Sequence, residues 1–199
     1  MSKLKYKCLK CATCCFEVLG CPGTKRIPLY PEEVSELIKI AKLNGLNFNV
    51  IEDLVFPDIL NQKILVLTYR IILDSKNQCC PFYKKNIGCT IHNVKPLACQ
   101  AYPLALKRID AFRFELSIDP LCNFVIKSYE ELKNIDLEKL KEIFKDEYPK
   151  AEKFYRKNKN LQFEIRRLEV ENKIKIPREI ELNKSNKFLK EWEREEIII

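Results

Sequence analysis

The sequence predicts an α+β protein made of two parts. Residues 1–128 are expected to form a small, irregular, cysteine-rich domain with a short β-hairpin or small sheet and several helices. Residues 129–199 are expected to form a charged, mainly helical C-terminal extension. Three observations predict this division: all ten cysteines precede residue 123, the β-type runs precede residue 119, and helix-start signals dominate the rest of the chain.

The first two predicted elements are a helix and a strand. The stretch "YPEEVSELIKIAKLNG" places Pro31 at a first helical position, puts acidic residues in the first turn, and repeats apolar residues at helical spacing before Gly45. Residues 64–73 form a β-rich run that ends at the turn-forming "DSKN". We therefore expect one amphipathic helix followed by a strand.

A second strand is predicted in "RIDAFRFELSID", where apolar residues alternate from Phe112 to Ile118. We expect it to pair with the strand over residues 64–73 around the intervening cysteines. Between the two strands, "HNVKPLACQAYP" predicts one or two helical turns that carry Cys99 and end at Pro103.

The C-terminal part carries helix signals of decreasing strength. The stretches "SYEEL" and "DLEKLKEIFKDEY" have helix-start residues and apolar positions at helical spacing, and Pro149 separates a following helical turn. From Asn158 onward the chain is a charged mixture with weak periodicity, interrupted again at Pro177. This extension is expected to be a solvated helical appendage without site residues.

The ten cysteines must be interpreted with the cellular compartment in mind. The start "MSKLKYKC" has no apolar segment of a secretory signal, and the most apolar run is too short to cross a bilayer, so we expect a soluble cytoplasmic protein without a membrane partner. Reducing compartments disfavour disulfides and favour metal binding or redox chemistry. Disulfides remain the alternative, because intracellular proteins of hyperthermophiles do keep them.

The positive charge is concentrated in the cysteine-bearing part. Residues 1–128 hold 18 Lys and Arg against 11 Asp and Glu, which accounts for +7 of the chain's net charge of +8. A nucleic-acid partner would explain this excess, and so would compensation of an anionic thiolate metal centre. No basic stripe interleaved with aromatic residues is evident, so the nucleic-acid interpretation is not favoured.

The stretch "KCLKCATCCF" contains C-x2-C-x2-C, a spacing that lets a tight turn direct two thiolates at one ion. Bacterial ferredoxins continue this run with C-x3-C-P, but here Cys15 follows Cys14 directly. A zinc finger with two histidines is excluded because His92 is the only histidine. The spacing therefore indicates metal binding without selecting the metal.

A second cluster reads "CCPFYKKNIGCTIHNVKPLACQAYP", and Cys122 follows in "DPLCNF". With C-x2-C-x2-CC, this ordered set resembles the YkgJ-type cysteine-cluster family, a zinc- or iron-chelating domain, over about residues 8 to 122. The resemblance implies eight metal-binding residues: Cys8, Cys11, Cys14, Cys15, Cys80, Cys89, Cys99 and Cys122. Cys21 and Cys79 fall outside it. Lys95 and Gln100 replace arginines that are usual in the family, which puts a bidentate anion clamp at those positions in doubt.

The resemblance implies an iron-sulfur or a zinc site. We favour an iron-sulfur cluster of the 4Fe-4S type, because eight thiols are more than one tetrahedral ion uses. Adjacent side chains tend to diverge, so Cys14 and Cys15 are expected to belong to different ligand sets. Four nearby aromatic residues are expected to form a dry shell around the site: Phe16, Phe82, Tyr83 and Tyr102.

Three functions follow from this site. The first is electron transfer or another redox role with an unidentified protein partner. The second is a cluster-dependent, methyltransferase-like enzyme, since a flagellin lysine methylase has a similar cysteine-rich part, although no glycine-rich loop for S-adenosylmethionine is present. The third is a structural zinc module for a protein or nucleic-acid partner. The sequence does not decide whether the protein is an enzyme, and no catalytic residue is assigned.

Overall fold

The computed structural model describes residues 4–18, 27–108 and 114–199. Cys21 and Phe112 lie outside the described residues. Within them there are seven α-helices: α1 (Pro31–Leu43), α2 (Leu97–Ala101), α3 (Asn123–Lys127), α4 (Tyr129–Leu132), α5 (Leu137–Ile143), α6 (Tyr148–Val170) and α7 (Leu182–Glu191). The strands are β1 (Pro28–Leu29), β2 (Val50–Asp58), β3 (Lys63–Ile71), β4 (Tyr83–Lys84), β5 (Gly88–Cys89), β6 (Leu104–Arg108), β7 (Phe114–Ile118) and β8 (Glu193–Glu196). The predicted α+β class is confirmed.

The chain divides into two units, each made of two chain segments. Unit 1 comprises Met1–Ile27 and Leu73–Arg156, and unit 2 comprises Pro28–Ile72 and Lys157–Ile199. Neither unit has a boundary at residue 128. The expected division into residues 1–128 and 129–199 stays a prediction, which concerns whether the two parts fold independently. No helix of the described residues is long and apolar enough to cross a membrane.

Unit 2 is built on β3. This strand pairs antiparallel with β2 along its length and with β1 near its end, while β8 runs parallel beside its first half. Four consecutive residues of β3, Ile64 to Leu67, are buried, as expected for a strand covered on both faces. Helix α1 begins at Pro31 as predicted, and the Glu33 carboxylate accepts the Tyr30 N–H at 3.0 Å as a cap.

A buried carboxylate fixes the turn between β2 and β3. Asp58 is 1% exposed, and its side chain accepts hydrogen bonds from the backbone N–H of Leu60 at 3.0 Å and of Lys175 at 2.9 Å. The Asn61 side-chain amide donates to the same carboxylate and to the Lys173 carbonyl oxygen. Asp58 thereby ties the hairpin to the segment that follows α6.

Unit 1 contains the cysteine-bearing segments and two small antiparallel ladders, β4 with β5 and β6 with β7. Its apolar core is centred on Phe144, which is fully buried. The Tyr6 ring lies 5.2 Å from the Phe144 ring and 5.0 Å from the Phe124 ring, measured between centroids. The Tyr6 N–H also donates to the Ile143 carbonyl oxygen at 2.9 Å. Three aromatic rings thus hold the N-terminal segment against α3 and α5.

One sequence prediction about the fold is wrong. The strand predicted over residues 64–73 does not pair with the strand after residue 112, because β3 pairs with β1, β2 and β8 while β7 pairs with β6. The β2–β3 and β6–β7 pairs join strands that are neighbours in the chain, which costs less loop-closure entropy. The predicted helical character of the C-terminal part is confirmed by α6, which continues to Val170 and is supported by ion pairs such as Arg167–Glu164 at 2.6 Å.

Candidate metal centre

The N-terminal cysteines lie on a segment that turns repeatedly. Lys10 and Ala12 both adopt left-handed backbone conformations, with φ of 51° and 64°, and a 3-10 turn follows at Thr13–Cys15. The Cys15 N–H donates to the Ala12 carbonyl oxygen at 2.6 Å. Reversals between successive cysteines are what the C-x2-C-x2-CC spacing requires if the thiols are to face a common centre.

Backbone hydrogen bonds join the first cysteine cluster to the second. The Cys80 N–H donates to the Cys15 carbonyl oxygen at 2.7 Å, and Phe16 forms an isolated antiparallel bridge with Cys79. The Tyr83 N–H then donates to the Cys80 carbonyl oxygen at 2.9 Å. Two clusters that are more than 60 residues apart in the sequence are therefore adjacent.

The remaining predicted ligands are placed by short local elements. Cys89 pairs with Tyr83 in the β4–β5 ladder, Cys99 lies on α2, and Cys122 occupies the N-terminal cap position of α3. Its carbonyl oxygen accepts the Ile126 N–H at 2.8 Å, the first intrahelical bond of α3. The turn containing Cys99 was predicted and is confirmed.

Electrostatic coupling links Cys14 to five other thiols. A negative charge on Cys14 contributes to raising the pKa of every other thiol in one group: Cys15, Cys80, Cys89, Cys99 and Cys122. Cys8 acts in the same way on Cys89, and Cys11 acts on Cys122. Such mutual repulsion requires proximity. The structure therefore places Cys14 near five of the predicted residues, Cys8 near Cys89, and Cys11 near Cys122.

Burial makes this neighbourhood unfavourable for bare thiolates. Burial raises the pKa of Cys80 to about 12 and also raises the pKa of Cys99. A hydrogen bond with Cys14, followed by burial, raises the pKa of Cys15. Several buried thiols that repel one another when ionised are stabilised by a bound cation, so this donor set fits zinc or iron.

Cys14 and Cys15 lie side by side and do not diverge. Their Sγ atoms are 3.9 Å apart within the 3-10 turn Thr13–Cys15. Two thiolates on one tetrahedral zinc, at Zn–S distances of about 2.3 Å, are separated by about 3.8 Å. The expected divergence of the two side chains is therefore wrong. That divergence was the reason for assigning Cys14 and Cys15 to different ligand sets, so the assignment is no longer supported by it.

Cys79 is buried beside Cys80, and its charge contributes to raising the pKa of the Cys80 thiol. Burial and the nearby Asp74 carboxylate raise the pKa of Cys79, and its carbonyl oxygen accepts the Asp74 N–H at 2.8 Å. That Cys79 stands outside the ligand set stays a prediction, and packing explains its burial.

The His92 imidazole is half-buried, and its environment disfavours the protonated form. Burial, with smaller contributions from Lys95 and Lys10, lowers its pKa, and its Nε2 atom is buried without a hydrogen-bond partner among the described residues. Across residues 4–18, 27–108 and 114–199, no three Cys, His, Asp or Glu side chains are already arranged to hold one metal ion. The individual ligand assignments therefore stay predictions.

Aromatic side chains line the two cysteine clusters. The Phe16 and Tyr83 rings pack edge to face with centroids 4.9 Å apart, and Phe82 is 1% exposed. The Tyr102 hydroxyl is buried, and burial raises its pKa. Sequence reasoning named these residues but missed Tyr6 and Phe124, which lie two residues before Cys8 and two after Cys122. Their positions in the sequence, close to the first and the last predicted ligand, were the signal that could have identified them.

Fold and site together define a cysteine-rich, metal-binding α+β protein. The sequence matches one family model, CxxCxxCC, described as "Putative zinc- or iron-chelating domain", over residues 7–123. The match covers more than half of the chain, and the protein belongs to this family. No curated protein and no solved structure shows significant similarity to the chain.

Proposed function

We propose that the protein holds an iron-sulfur cluster of the 4Fe-4S type through cysteine thiolates and exchanges electrons with a protein partner. One observation supports this proposal: Cys14 is electrostatically coupled to five other thiols, which makes six mutually interacting thiols, more than one tetrahedral ion uses. A bound cluster would supply reversible one-electron chemistry.

The residues around the thiols would control access to the centre. Cys15, Cys80 and Cys122 are buried and would form its inner side, whereas Cys11 is exposed. The edge-to-face pair of Phe16 and Tyr83 lies beside the inner thiols and would exclude water there. A site that is dry inside and exposed at one ligand suits electron exchange with a partner docked at that ligand.

Zinc is the second candidate, and a specific distance favours it. The 3.9 Å between the Sγ atoms of Cys14 and Cys15 is close to the separation of two thiolates on a single zinc ion. In a four-iron cluster each thiolate binds its own iron, and the thiolates stand farther apart. Under this alternative both residues bind the same ion, and the protein is a structural zinc module.

The deciding experiment is anaerobic purification followed by analysis of iron, acid-labile sulfide and zinc, together with visible absorption. We expect about four iron and four sulfide per chain and a broad absorption shoulder in the visible range. A colourless protein with stoichiometric zinc and no sulfide would contradict the iron-sulfur proposal and support the zinc alternative.

Cys80 and Cys79 provide a matched pair of variants for the ligand set. Both thiols are buried and adjacent in sequence, but only Cys80 is coupled to Cys14. Cys80→Ser should lose most of the metal, and Cys79→Ser should retain it. Equal metal content in the two variants would remove Cys80 from the ligand set.

The Cys14→Ser and Cys15→Ser variants, made separately, test how the adjacent pair is used. If both residues serve one centre, each variant should lose the same species of metal. If one variant loses zinc and the other loses iron, the pair feeds two centres despite the 3.9 Å separation.

A further inference from the structure

We infer that the lysine-rich surface around Cys11 is a docking face for an acidic protein partner of the metal centre. This Cys11 face consists of Leu9–Cys11, Lys84–Ile87 and Val94–Lys95. That the partner exchanges electrons rests on the proposed function. That the partner is acidic follows from the charge of the surface itself.

The exposure of Cys11 identifies this face as the place where a partner can approach the centre. Among the described cysteines Cys11 is exposed, whereas the others are buried or half-buried. Its Sγ atom lies 3.4 Å from the Thr13 hydroxyl at the surface. A partner that must approach the centre closely would therefore contact the protein around Cys11.

The lysines of the face are held next to one another by the β4–β5 hairpin. Gly88 pairs with Lys84 in this ladder, and a Cβ built on Gly88 would lie 3.6 Å from the Lys10 Cβ and the Lys10 carbonyl oxygen. The hairpin tip therefore packs against the turn at Lys10. Lys10 and Lys95 also both lower the pKa of the half-buried His92, so the charges of the two lysines act on the same imidazole.

The charge of this face is not neutralised locally. Residues 4–16 and 80–100 contain six lysines and no Asp or Glu. Within the described part of the chain, the lysines of the face, Lys10, Lys84, Lys85 and Lys95, form no ion pair with a carboxylate. Glu147 interacts electrostatically with Lys95 and Lys5, and burial raises its pKa. An uncompensated positive surface attracts and orients a negatively charged partner.

The composition of the face favours a protein over a nucleic acid. Three apolar side chains stand among the lysines and are strongly exposed: Leu9 at 46%, Ile87 at 64% and Val94 at 58%. Apolar contacts surrounded by charge are typical of protein interfaces. Every cation of the face is a lysine, and none is an arginine, the residue suited to bidentate phosphate contacts. An acidic protein surface with apolar contacts therefore complements it.

The test uses two probes of the same negative charge, fluorescein-labelled poly-L-glutamate and a labelled single-stranded DNA. Their binding to the full chain as purified is measured by fluorescence anisotropy at low and at physiological salt. The test variant replaces Lys10, Lys84, Lys85 and Lys95 with Gln. The matched control replaces four exposed lysines of unit 2 with Gln: Lys39, Lys42, Lys184 and Lys190.

We expect poly-L-glutamate to bind at least as tightly as DNA, the test variant to lose about tenfold in affinity, and the control to change less than twofold. Replacing the same four lysines with Arg should preserve binding, which separates a loss of charge from a loss of folding. Zero-length carbodiimide cross-links should map to the face lysines.

Three results would overturn the inference. Equal losses in test and control variants would show that only net charge matters. Cross-links confined to other lysines would place binding elsewhere, and tighter binding of DNA through the same four lysines would identify a nucleic-acid site. Metal and sulfide content is measured on the same samples, so that a failure of the iron-sulfur proposal is recognised independently of the binding result.

Discussion

Replacing Phe144 with Ala should destabilise unit 1 and loosen both ends of the cysteine framework. Phe144 is fully buried, and its ring contacts the rings of Tyr6 and Phe124, with centroids 5.2 and 6.1 Å away. Burial of a Phe side chain contributes about 2–3 kcal/mol, and two aromatic pairs add about 0.5–1.5 kcal/mol each. Loss of these contacts, with the cavity left behind, should lower the free energy of unfolding by about 3–5 kcal/mol.

The effect of this substitution should be local as well as global. Tyr6 precedes Cys8 by two residues and Phe124 follows Cys122 by two, so the aromatic group positions the first and last predicted ligands. Hydrogen exchange measured by mass spectrometry should accelerate in the peptides that contain residues 4–18 and 123–144. Metal affinity should decrease in parallel, because binding must then order segments that the wild-type protein already holds in place.

The assay is equilibrium urea unfolding under anaerobic, reducing conditions with a chelator, so that bound metal does not contribute to stability. Far-ultraviolet circular dichroism is the readout, because the single tryptophan, Trp192, lies in unit 2. The control is Phe163→Ala, whose side chain is 67% exposed and which should change stability by less than about 0.5 kcal/mol. A loss below about 1 kcal/mol for Phe144→Ala would refute the role assigned to the aromatic group.

Three further predictions concern polar contacts. Asp58→Ala should cost about 2–3 kcal/mol, because buried backbone N–H donors lose their acceptor, and Trp192 fluorescence during urea unfolding would report it. Arg194→Ala should cost about 1 kcal/mol, and less at high salt, since its bonds to Glu52 at 2.7 and 3.3 Å are partly exposed. A hydrogen bond from the Lys139 N–H lowers the pKa of Asp136, so this cap stabilises α5 above the unfolded pKa of about 3.9 and is lost as pH falls through the lower folded value. The Lys139 amide resonance in a pH titration should therefore shift below pH 4, and a titration midpoint above 4 would contradict the sign.

Elements specified by local signals were predictable from the sequence. Helix α1 begins at Pro31 and is followed by Gly45 at a φ of 61°, as the proline, the acidic first turn and the glycine indicate. The short helix that carries Cys99 was predictable from Pro103, which stops it. The set of eight ligands, inferred from the spacing and order of the cysteines, stays a prediction.

Elements that depend on distant partners were not predictable. Strand β2 contains Glu52, Asp53 and Pro57, which obscure the alternation of a strand, and it is stabilised by pairing with the apolar β3. Strand β8 has the sequence "EREE", and this composition does not predict a strand. It forms because Glu195 and Arg194 find partners in Lys63 and Glu52.

The side-by-side thiols of Cys14 and Cys15 illustrate a different difficulty. The sequence shows that they are adjacent, but the direction of each side chain depends on backbone dihedral angles. The left-handed Ala12 and the 3-10 turn after it leave no residue signature in "CATCC", since Ala rarely adopts that conformation.

The parallel pairing of β8 with β3 bears on how the protein is made. Lys63 and Glu195, which pair across this ladder, are 132 residues apart, so a ribosome needs on the order of 10 s to supply the second after the first. During that time the apolar residues Ile64 to Val66 lack one neighbouring strand and are exposed to intermolecular pairing. All segments of the cysteine-bearing unit are complete by Arg156. The nascent chain can therefore bring its cysteine-bearing segments together before β8 completes the sheet. Until then, the unpaired edge of β3 is the part of the chain that a chaperone would protect.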